Sequence, residues 1–503
     1  MDIVEHEDVT AGADRVVVIG AGNAALSAAI AAAEAGAPVV VLEAADEFNR
    51  GGNSAYTAGA MRIAYDGRDD LATLMDLTRP PYDTADFGSY PADDYLIDLD
   101  RMSDGRVDPD LAAVVATEGL ATLRWHRGLG VRYEPNEGRQ SAMVDGRLRF
   151  WGALPVRVAG EGKAMIASLL DAAIALGVEV RYGHEAADLV VVDGRMTAVA
   201  LADGLEVPAR AVVIAAGGFE ADPVARAERL GPEWVDAKVR GTASNTGAGI
   251  EMAVRAGAAR RGDQGGCHAV AWDRSAPLTG DITVAHRFSK NAYPWGITVN
   301  RSGRRFMDEA ADFRNYTYAA YGRAVLAQPG AVAWQVFDAK VLDLLYPEYE
   351  LDTVDRFDAD SLADLAGRIG DLDTAGFLAT VEAYNAAVDV ATPFDPTMLD
   401  GRAALLPVPR ANWAQRLDTP PFRAYAVTCG ITFTFGGLAV DPAGRVLTDG
   451  GAPLPGVFAC GELVGGLFWG NYPGGAGLTA GAVLGRRAGR SAAAFLAART
   501  GGD

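Results

Sequence analysis

Two glycine-rich segments at opposite ends of the chain carry its clearest chemistry. The first is Val16-Val17-Val18-Ile19-Gly20-Ala21-Gly22-Asn23-Ala24-Ala25. It reads as a buried strand, a tight turn and a helix N-terminus, with Gly20, Gly22, Asn23 and Ala24 at the turn. Backbone N–H groups and the positive helix end there suit a pyrophosphate. Glu43 follows the glycines by about twenty residues, where a carboxylate accepts hydrogen bonds from ribose hydroxyls. Ala25 replaces the third glycine of G-x-G-x-x-G, which is tolerable at a position that serves helix–strand packing. The second segment, Val457-Phe458-Ala459-Cys460-Gly461-Glu462, is another strand running into a glycine turn with an acid. Arg50-Gly51-Gly52-Asn53-Ser54 adds a stretch of small residues that lets backbone approach a flat ring system and its pyrophosphate. One cofactor gripped from both ends of a chain suits FAD better than NAD.

The elements that must position these groups follow from the residue pattern. Residues 16–19 and 39–42 are short β-branched runs, as parallel strands buried on both faces require. The alanine-rich residues 24–35 between them predict a helix stopped by Gly36 and Pro38, completing a βαβ unit. Asp193-Gly194, inside the alternating residues 189–201, predicts a type I′ hairpin, and Asp203-Gly204 repeats the signal. Residues 211–215 then predict a strand ending at Ala216-Gly217-Gly218. Such a meander, returning to a glycine-ended strand, is typical of two-dinucleotide-binding flavoproteins. After Gly475 a helix is expected from Ala476. Its first turn holds Gly477 and Leu478, and its N–H groups can meet the ring edge where negative charge gathers on reduction.

The 503 residues are too many for one hydrophobic core, so the expected class is α/β with more than one domain. A Rossmann-like, two-dinucleotide-binding FAD domain is expected from residues 1–265 and 433–503. An α+β capping domain, residues 266–432, is inserted between them, with Pro-rich connections at 393–396 and 420–421. The net charge of −21 argues against nucleic-acid or anionic-membrane partners, which require basic surface. Cys267, Cys429 and Cys460 form no C-x-x-C, so no disulfide framework, metal site or c-type haem is expected. Residues 1–14 are acidic and lack a signal pattern. Residues 16–33 and 463–485 are uncharged, but glycines and Pro473 interrupt them, so they read as buried structure rather than membrane spans. A cytoplasmic location is expected.

These motifs, with residues 297–309 (Ile-Thr-Val-Asn-Arg-Ser-Gly-Arg-Arg-Phe-Met-Asp-Glu), resemble the fumarate reductase/succinate dehydrogenase flavoprotein superfamily over nearly the full chain. The resemblance implies a small-molecule substrate, an external electron acceptor and hydride transfer at a CH–CH bond beside a carboxylate or carbonyl. It implies noncovalent FAD, because Ser54-Ala55-Tyr56 occupies the loop where covalent members place a histidine. It implies Arg314, in Ala311-Asp312-Phe313-Arg314-Asn315-Tyr316, as an essential catalytic residue. It implies His268 as the cap histidine that holds a substrate carboxylate. The family's second substrate histidine falls near Thr432-Phe433 and its C-terminal substrate arginine at Tyr472, next to Asn471, so both are missing. Thr432 and Asn471 are therefore read as substrate contacts. His286 and Arg287 are read as further anion clamps, and Arg305 as a structural ion pair beside Asp308 or Glu309.

Residues 429–437, 471–478 and 313–318, with Cys267-His268, are similar to tricarballylate dehydrogenases. Tyr472-Pro473-Gly474 is also similar to ketosteroid Δ1-dehydrogenases, which use tyrosines around a substrate carbonyl. The expected reaction is therefore of the tricarballylate to cis-aconitate type. Its alternatives are a 3-ketosteroid-type Δ1 dehydrogenase, a fumarate-type reductase and a non-enzymatic flavin-binding partner. Deprotonating an arginine of pKa about 13 at neutral pH costs roughly 8 kcal/mol. Arg314 therefore works more easily as proton donor or electrostatic clamp, and Tyr472 or a histidine is the cheaper base for oxidation.

Overall fold

A computed structural model describes residues 14–138 and 140–500. The acidic N-terminal segment, up to residue 13, lies outside the described residues.

The strand Val16–Ile19 sits at the centre of a six-stranded sheet with all four side chains buried. It pairs in parallel with Val39–Glu43 on one side and Ala211–Ile214 on the other. Glu179–Tyr182 extends one edge, and Pro453–Ala459 pairs in parallel beyond Ala211–Ile214. Only Arg445–Leu447, at the far edge, runs antiparallel. The β-branched runs are thus the strands buried on both faces that the pattern predicts. The two glycine turns follow neighbouring parts of one sheet, although the strands that lead into them lie at opposite ends of the chain.

The helix Asn23–Glu34 returns the chain from the first strand, and the long helix Ala476–Thr500 packs across it. Gly481, Gly485 and Gly489, spaced four apart, lie on the face turned toward it. A Cβ at Gly485 would stand 2.4 Å from the Ala24 carbonyl oxygen, and one at Gly489 would stand 2.1 Å from that of Ala28. The obstacle is backbone, so no rotamer change relieves it. Gly489→Val is expected to cost about 1–3 kcal/mol or more as overpacking. It should lower the thermal midpoint and the FAD content together, measured by melting and by absorbance of the purified protein.

The Asp193-Gly194 turn joins strands Ala186–Val192 and Arg195–Leu201, with φ +49° and +73° at its two residues. Both residues are left-handed, as a type I′ turn requires. The second signal resolves differently. Residues 202–205 connect Arg195–Leu201 to Glu206–Pro208, and of the Asp203-Gly204 pair only Gly204 has positive φ. That connection is a four-residue loop and not a second I′ turn.

The second sheet is built around Phe422–Thr434, a strand of 13 residues. Cys267–Asp273, Ala333–Phe337 and Arg356–Ala359 pair with it antiparallel, and Lys238–Val239 pairs with it in parallel. This sheet takes in Lys238–Val239 from before residue 266, and its central strand runs across the 432/433 junction. The helix Arg314–Leu326 lies on Cys267–Asp273, where a Cβ at Gly322 would stand 2.5 Å from the Val270 carbonyl oxygen. That close approach brings the start of the helix over the end of the sheet. Arg305 pairs with the buried Glu309, which also lies 3.4 Å from Arg410. Arg305 thus belongs to cap structure. All three cysteines are buried thiols. Among the described residues no helix is long and apolar enough to cross a membrane.

Candidate active site

The first glycine turn is shaped by backbone geometry. Gly20 has φ +101°, and a Cβ there would stand 2.6 Å from the Ala215 carbonyl oxygen. Only glycine combines that conformation with that approach. Glu43 is buried and accepts from the N–H of Ala21 at 2.8 Å and of Ala45 at 2.9 Å, tying the turn to the end of the second strand. Gly22 caps the helix Asn23–Glu34 without a side-chain hydrogen bond, leaving the opening of the helix to its backbone amides. Gly52, Asn53 and Ser54 form a single helical turn beside it, with the Asn23 N–H donating to Ser54 Oγ at 3.1 Å. Asn53 ties this turn to the central strand of the second sheet. Its Nδ2 donates to Glu220 and to the Thr432 carbonyl, each at 2.7 Å, and its Oδ1 accepts from the Thr242 N–H at 3.0 Å.

Two cavities open along these turns, and both are lined by Asn23, Ala24, Asn53, Ser54, Gly461 and Glu462. They form one long cleft. At one end lie Gly20, Glu43 and Gly217; at the other lie Arg314, His268, Tyr472, Gly477 and Leu478. An elongated dinucleotide fits this shape. Asn23 Oδ1, buried on the cleft wall, has no hydrogen-bond partner among the described residues. Glu462 is buried beside Glu220. Burial first and the Glu220 charge second hold its carboxyl well above the usual range, so the pair carries at most one negative charge at neutral pH.

Glu43→Ala is expected to weaken FAD binding by about tenfold or more, since it removes the carboxylate expected to accept from a ribose and loosens the Gly20 turn. Burial raises the Glu43 carboxyl above its ordinary 4.5. The ionised acceptor is therefore lost as pH falls, and lost at a higher pH than for an exposed glutamate. FAD affinity should decline on acidification in the wild type and stay flat in the variant, measured by flavin fluorescence titration of the apoprotein.

The second end of the cleft is built where the helix Arg314–Leu326 meets the cap sheet. Arg314 and Tyr318, one helical turn apart, both face the cavity. The Arg314 guanidinium lies 5.4 Å from the Tyr318 ring and 5.8 Å from the Tyr346 ring, and its Nε has no hydrogen-bond partner. Burial works against its charge, but Tyr346 and Tyr318 lead the groups that favour it, and the net shift is upward. Arg314 is therefore a fixed cation. The hydroxyls of Tyr318 and Tyr472 are hydrogen-bonded to each other. Burial, then Tyr318, push the Tyr472 phenol well above its ordinary 10.

The loop bearing Tyr472 is held from several sides. Asn471 Oδ1 accepts from the Tyr472 N–H at 2.9 Å and its Nδ2 donates to the Tyr316 carbonyl at 2.8 Å. The Gly474 N–H donates to the Asn315 carbonyl at 2.8 Å, and the buried Arg62 donates to the Gly474 carbonyl at 2.9 Å. His268 is fully buried, stacked on Phe433 at 5.1 Å with the edges of Tyr318 and Tyr472 at 4.9 Å. Neither ring nitrogen has a hydrogen-bond partner among the described residues, and burial then Arg240 hold its pKa well below 6.5. It is a neutral imidazole, able to exchange a hydrogen bond with a ligand but unable to form an ion pair with one.

The structure thus brings Arg314, His268, Tyr472 and Thr432 to one cavity wall, and Gly20, Gly22, Asn23, Ala24, Glu43, Gly52, Asn53, Ser54, Gly217, Gly461, Glu462, Gly477 and Leu478 along the same cleft. It does not bring His286 and Arg287 there. His286 Nε2 lies 3.6 Å from carboxylate oxygens of Glu161, on the FAD-domain side, and of Glu348 in the cap, and Arg287 is exposed. The expectation that they clamp a substrate anion is corrected by that placement. Asn471 is not on the cavity wall either and acts by positioning Tyr472. Gly51 is the left-handed cap of the Gly52–Ala55 turn, with Ile166 filling the space where its Cβ would be. Two residues went unnoticed in the sequence. Tyr318 had a signal, its spacing of four from Arg314 on a helix. Arg240 had none, because only the parallel pairing of Lys238–Val239 with Gly430-Ile431 brings it to the cavity.

Comparison with known proteins agrees with this geometry. The FAD binding domain family matches residues 15–478. The chain is 31% identical to 4-oxocyclohexanecarboxylate 2-dehydrogenase of Sinomonas cyclohexanicum, covering 95% of this chain and 92% of that protein. It is 26% identical to fumarate reductase (cytochrome) of Shewanella frigidimarina, covering 95% and 77%. Its fold is similar to that of the 3-ketosteroid Δ1-dehydrogenase of Sterolibacterium denitrificans, with a TM-score of 0.72 at 22% identity over 95% of this chain and 99% of that one.

Proposed function

The chain belongs to the FAD binding domain family, within the fumarate reductase/succinate dehydrogenase flavoproteins, and from that premise we propose that it oxidises the CH–CH bond beside the ketone of a small oxo-carboxylic acid. It is an FAD-dependent oxidoreductase acting on CH–CH groups. The observation that carries the finer reading is the Tyr318–Tyr472 hydroxyl pair, facing the cavity beside the Arg314 cation. Similarity to a dehydrogenase named for an oxo-acid supports it.

Each group has a task in this reading. Tyr472, held as the phenol, donates to the ketone oxygen and gathers the enolate charge that develops there. Tyr318 acts as base once it has released its own proton to solvent: Arg314 offsets the negative charge of that phenolate, which takes the α-proton and becomes phenol again. His268 completes the wall as a neutral hydrogen-bonding group, and the surrounding aromatic rings keep the cavity dry. FAD, which Gly20, Glu43, Asn53 and Gly461 along the cleft would hold noncovalently, would supply the two-electron oxidant for the β-hydrogen. The product is the α,β-unsaturated ketone, and an external acceptor takes the electrons onward.

A second reading, dehydrogenation of tricarballylate, is favoured by the Asn471–Leu478 segment, most of which lines the cavity. It asks for cations at three carboxylates, and among the described residues Arg240 and Arg314 are the two cationic side chains that line the cavity. The test is anaerobic mixing of the purified protein with 4-oxocyclohexanecarboxylate, tricarballylate, succinate and a 3-ketosteroid, following loss of the visible flavin absorbance. Rapid bleaching by the oxo-acid is the expected result. Bleaching by tricarballylate or succinate but not by the oxo-acid overturns the reading.

A further inference from the structure

We propose that Arg240 is the specificity-determining residue of the site: it anchors the carboxylate of the substrate whose ketone is held by the tyrosine pair. This rests on the reading given above and supplies the half of the substrate that the tyrosines leave unaddressed.

The backbone places Arg240 firmly. Lys238 and Val239 pair in register with Gly430 and Ile431, and the Arg240 N–H donates to the Ile431 carbonyl at 2.7 Å. Its side chain then extends along the cavity wall, with Nη1 donating to Thr432 Oγ1 at 3.2 Å and the guanidinium 5.9 Å from the Trp272 ring. The order of strands fixes its relation to the other groups. His268 lies on Cys267–Asp273, Thr432 and Phe433 lie on the central strand, and Arg240 follows the strand on the opposite side. The helix that carries Arg314 and Tyr318 packs on the Cys267–Asp273 side.

Two guanidinium groups therefore reach one cavity from opposite flanks of Thr432-Phe433. Arg314 stands against the tyrosine pair and serves the ketone end. A substrate that reaches across the wall from there meets Arg240, and an acid at its far end gains a charge-assisted hydrogen bond that an ester or a plain ketone cannot form. The Arg240 charge is felt across this space. It is one of the causes that lower the His268 pKa, and it opposes the upward shift of Tyr472. Arginine rather than lysine suits the role, since its planar fork can bond Thr432 and a carboxylate together.

The test uses the FAD-loaded full chain with Arg240→Gln and Arg240→Lys. Cyclohexanecarboxylate, an acid with no ketone to react, is titrated against the flavin spectrum. Kinetics of flavin reduction are then measured with 4-oxocyclohexanecarboxylate and with its methyl ester. Arg240→Gln should weaken binding of both acids by about a hundredfold, leave the ester unchanged, and alter the limiting rate of reduction little. Arg240→Lys should restore part of the loss. Acid binding that survives in Arg240→Gln, an equal loss for acid and ester, or a fall in the limiting rate at unchanged affinity overturns the assignment. If neither ketone reduces the flavin, the oxo-acid reading fails by itself, and the cyclohexanecarboxylate titration still decides whether Arg240 binds an acid.

Discussion

Arg314→Ala is expected to slow flavin reduction by substrate by about 100- to 1,000-fold while leaving FAD bound. The residue opens the helix Arg314–Leu326, over a ring that the fold already positions, and it makes no contact that holds the glycine turns. Its surroundings favour the cation, so its removal takes away a fixed positive charge rather than a base. Arg314→Lys keeps the charge but not the planar group against Tyr318 and Tyr346, and it should recover only part of the rate. Stopped-flow reduction under anaerobic conditions, with FAD content from the absorbance spectrum, separates the two effects. Full activity in Arg314→Ala would remove the residue from the mechanism. A variant of Arg314 that loses FAD would instead give it a role in cofactor binding.

The second large effect concerns the tyrosine pair. Tyr472→Phe and Tyr318→Phe should each slow reduction by about 100- to 10,000-fold, and the double variant should be little slower than either single one. Two hydroxyls that bond each other and act on one carbonyl work as a unit, so their losses do not add. The pH dependence follows from the same groups. Tyr472 is pushed well above 10, so the donor persists throughout the range below it. Release of a proton from the pair becomes easier as pH rises, so the rate of reduction should climb with pH. His268 is already neutral above a pKa far below 6.5, so raising the pH through 6.5 should cost no rate. A drop in rate near that value would show an imidazolium at work. Additive losses in the double variant would show two independent roles.

Much of this was readable from the sequence because local rules decide it. The βαβ unit, the Asp193-Gly194 turn and the helix from Ala476 depend on short-range pattern, and they stand where the pattern puts them. Glu43 is legible because a strand of fixed rise brings it beside the glycine turn. The anion clamps were misjudged because charge and neighbouring residues do not say which way a side chain faces. His286 and Arg287 are adjacent in sequence, yet one is buried beside the carboxylates of Glu161 and Glu348 and the other is exposed. The protonation state of His268 was equally hidden, since it depends on burial among Phe433, Tyr318 and Tyr472, which come from three distant segments. Arg240 enters the site through a pairing of strands nearly two hundred residues apart, beyond any local pattern.

The order of strands in the first sheet has a consequence for synthesis. Val16–Ile19 and Ala211–Ile214 leave the ribosome early, but the neighbour of Ala211–Ile214 is Pro453–Ala459. The whole cap is translated before that strand appears, so the nascent sheet keeps an open edge while nearly half of the 503 residues are made. The helix that carries Gly477 and Leu478 to the cleft emerges later still. FAD capture therefore waits for that helix, and the cap must fold against a half-built floor. A cell making this protein quickly has to shield that edge until the last segment arrives.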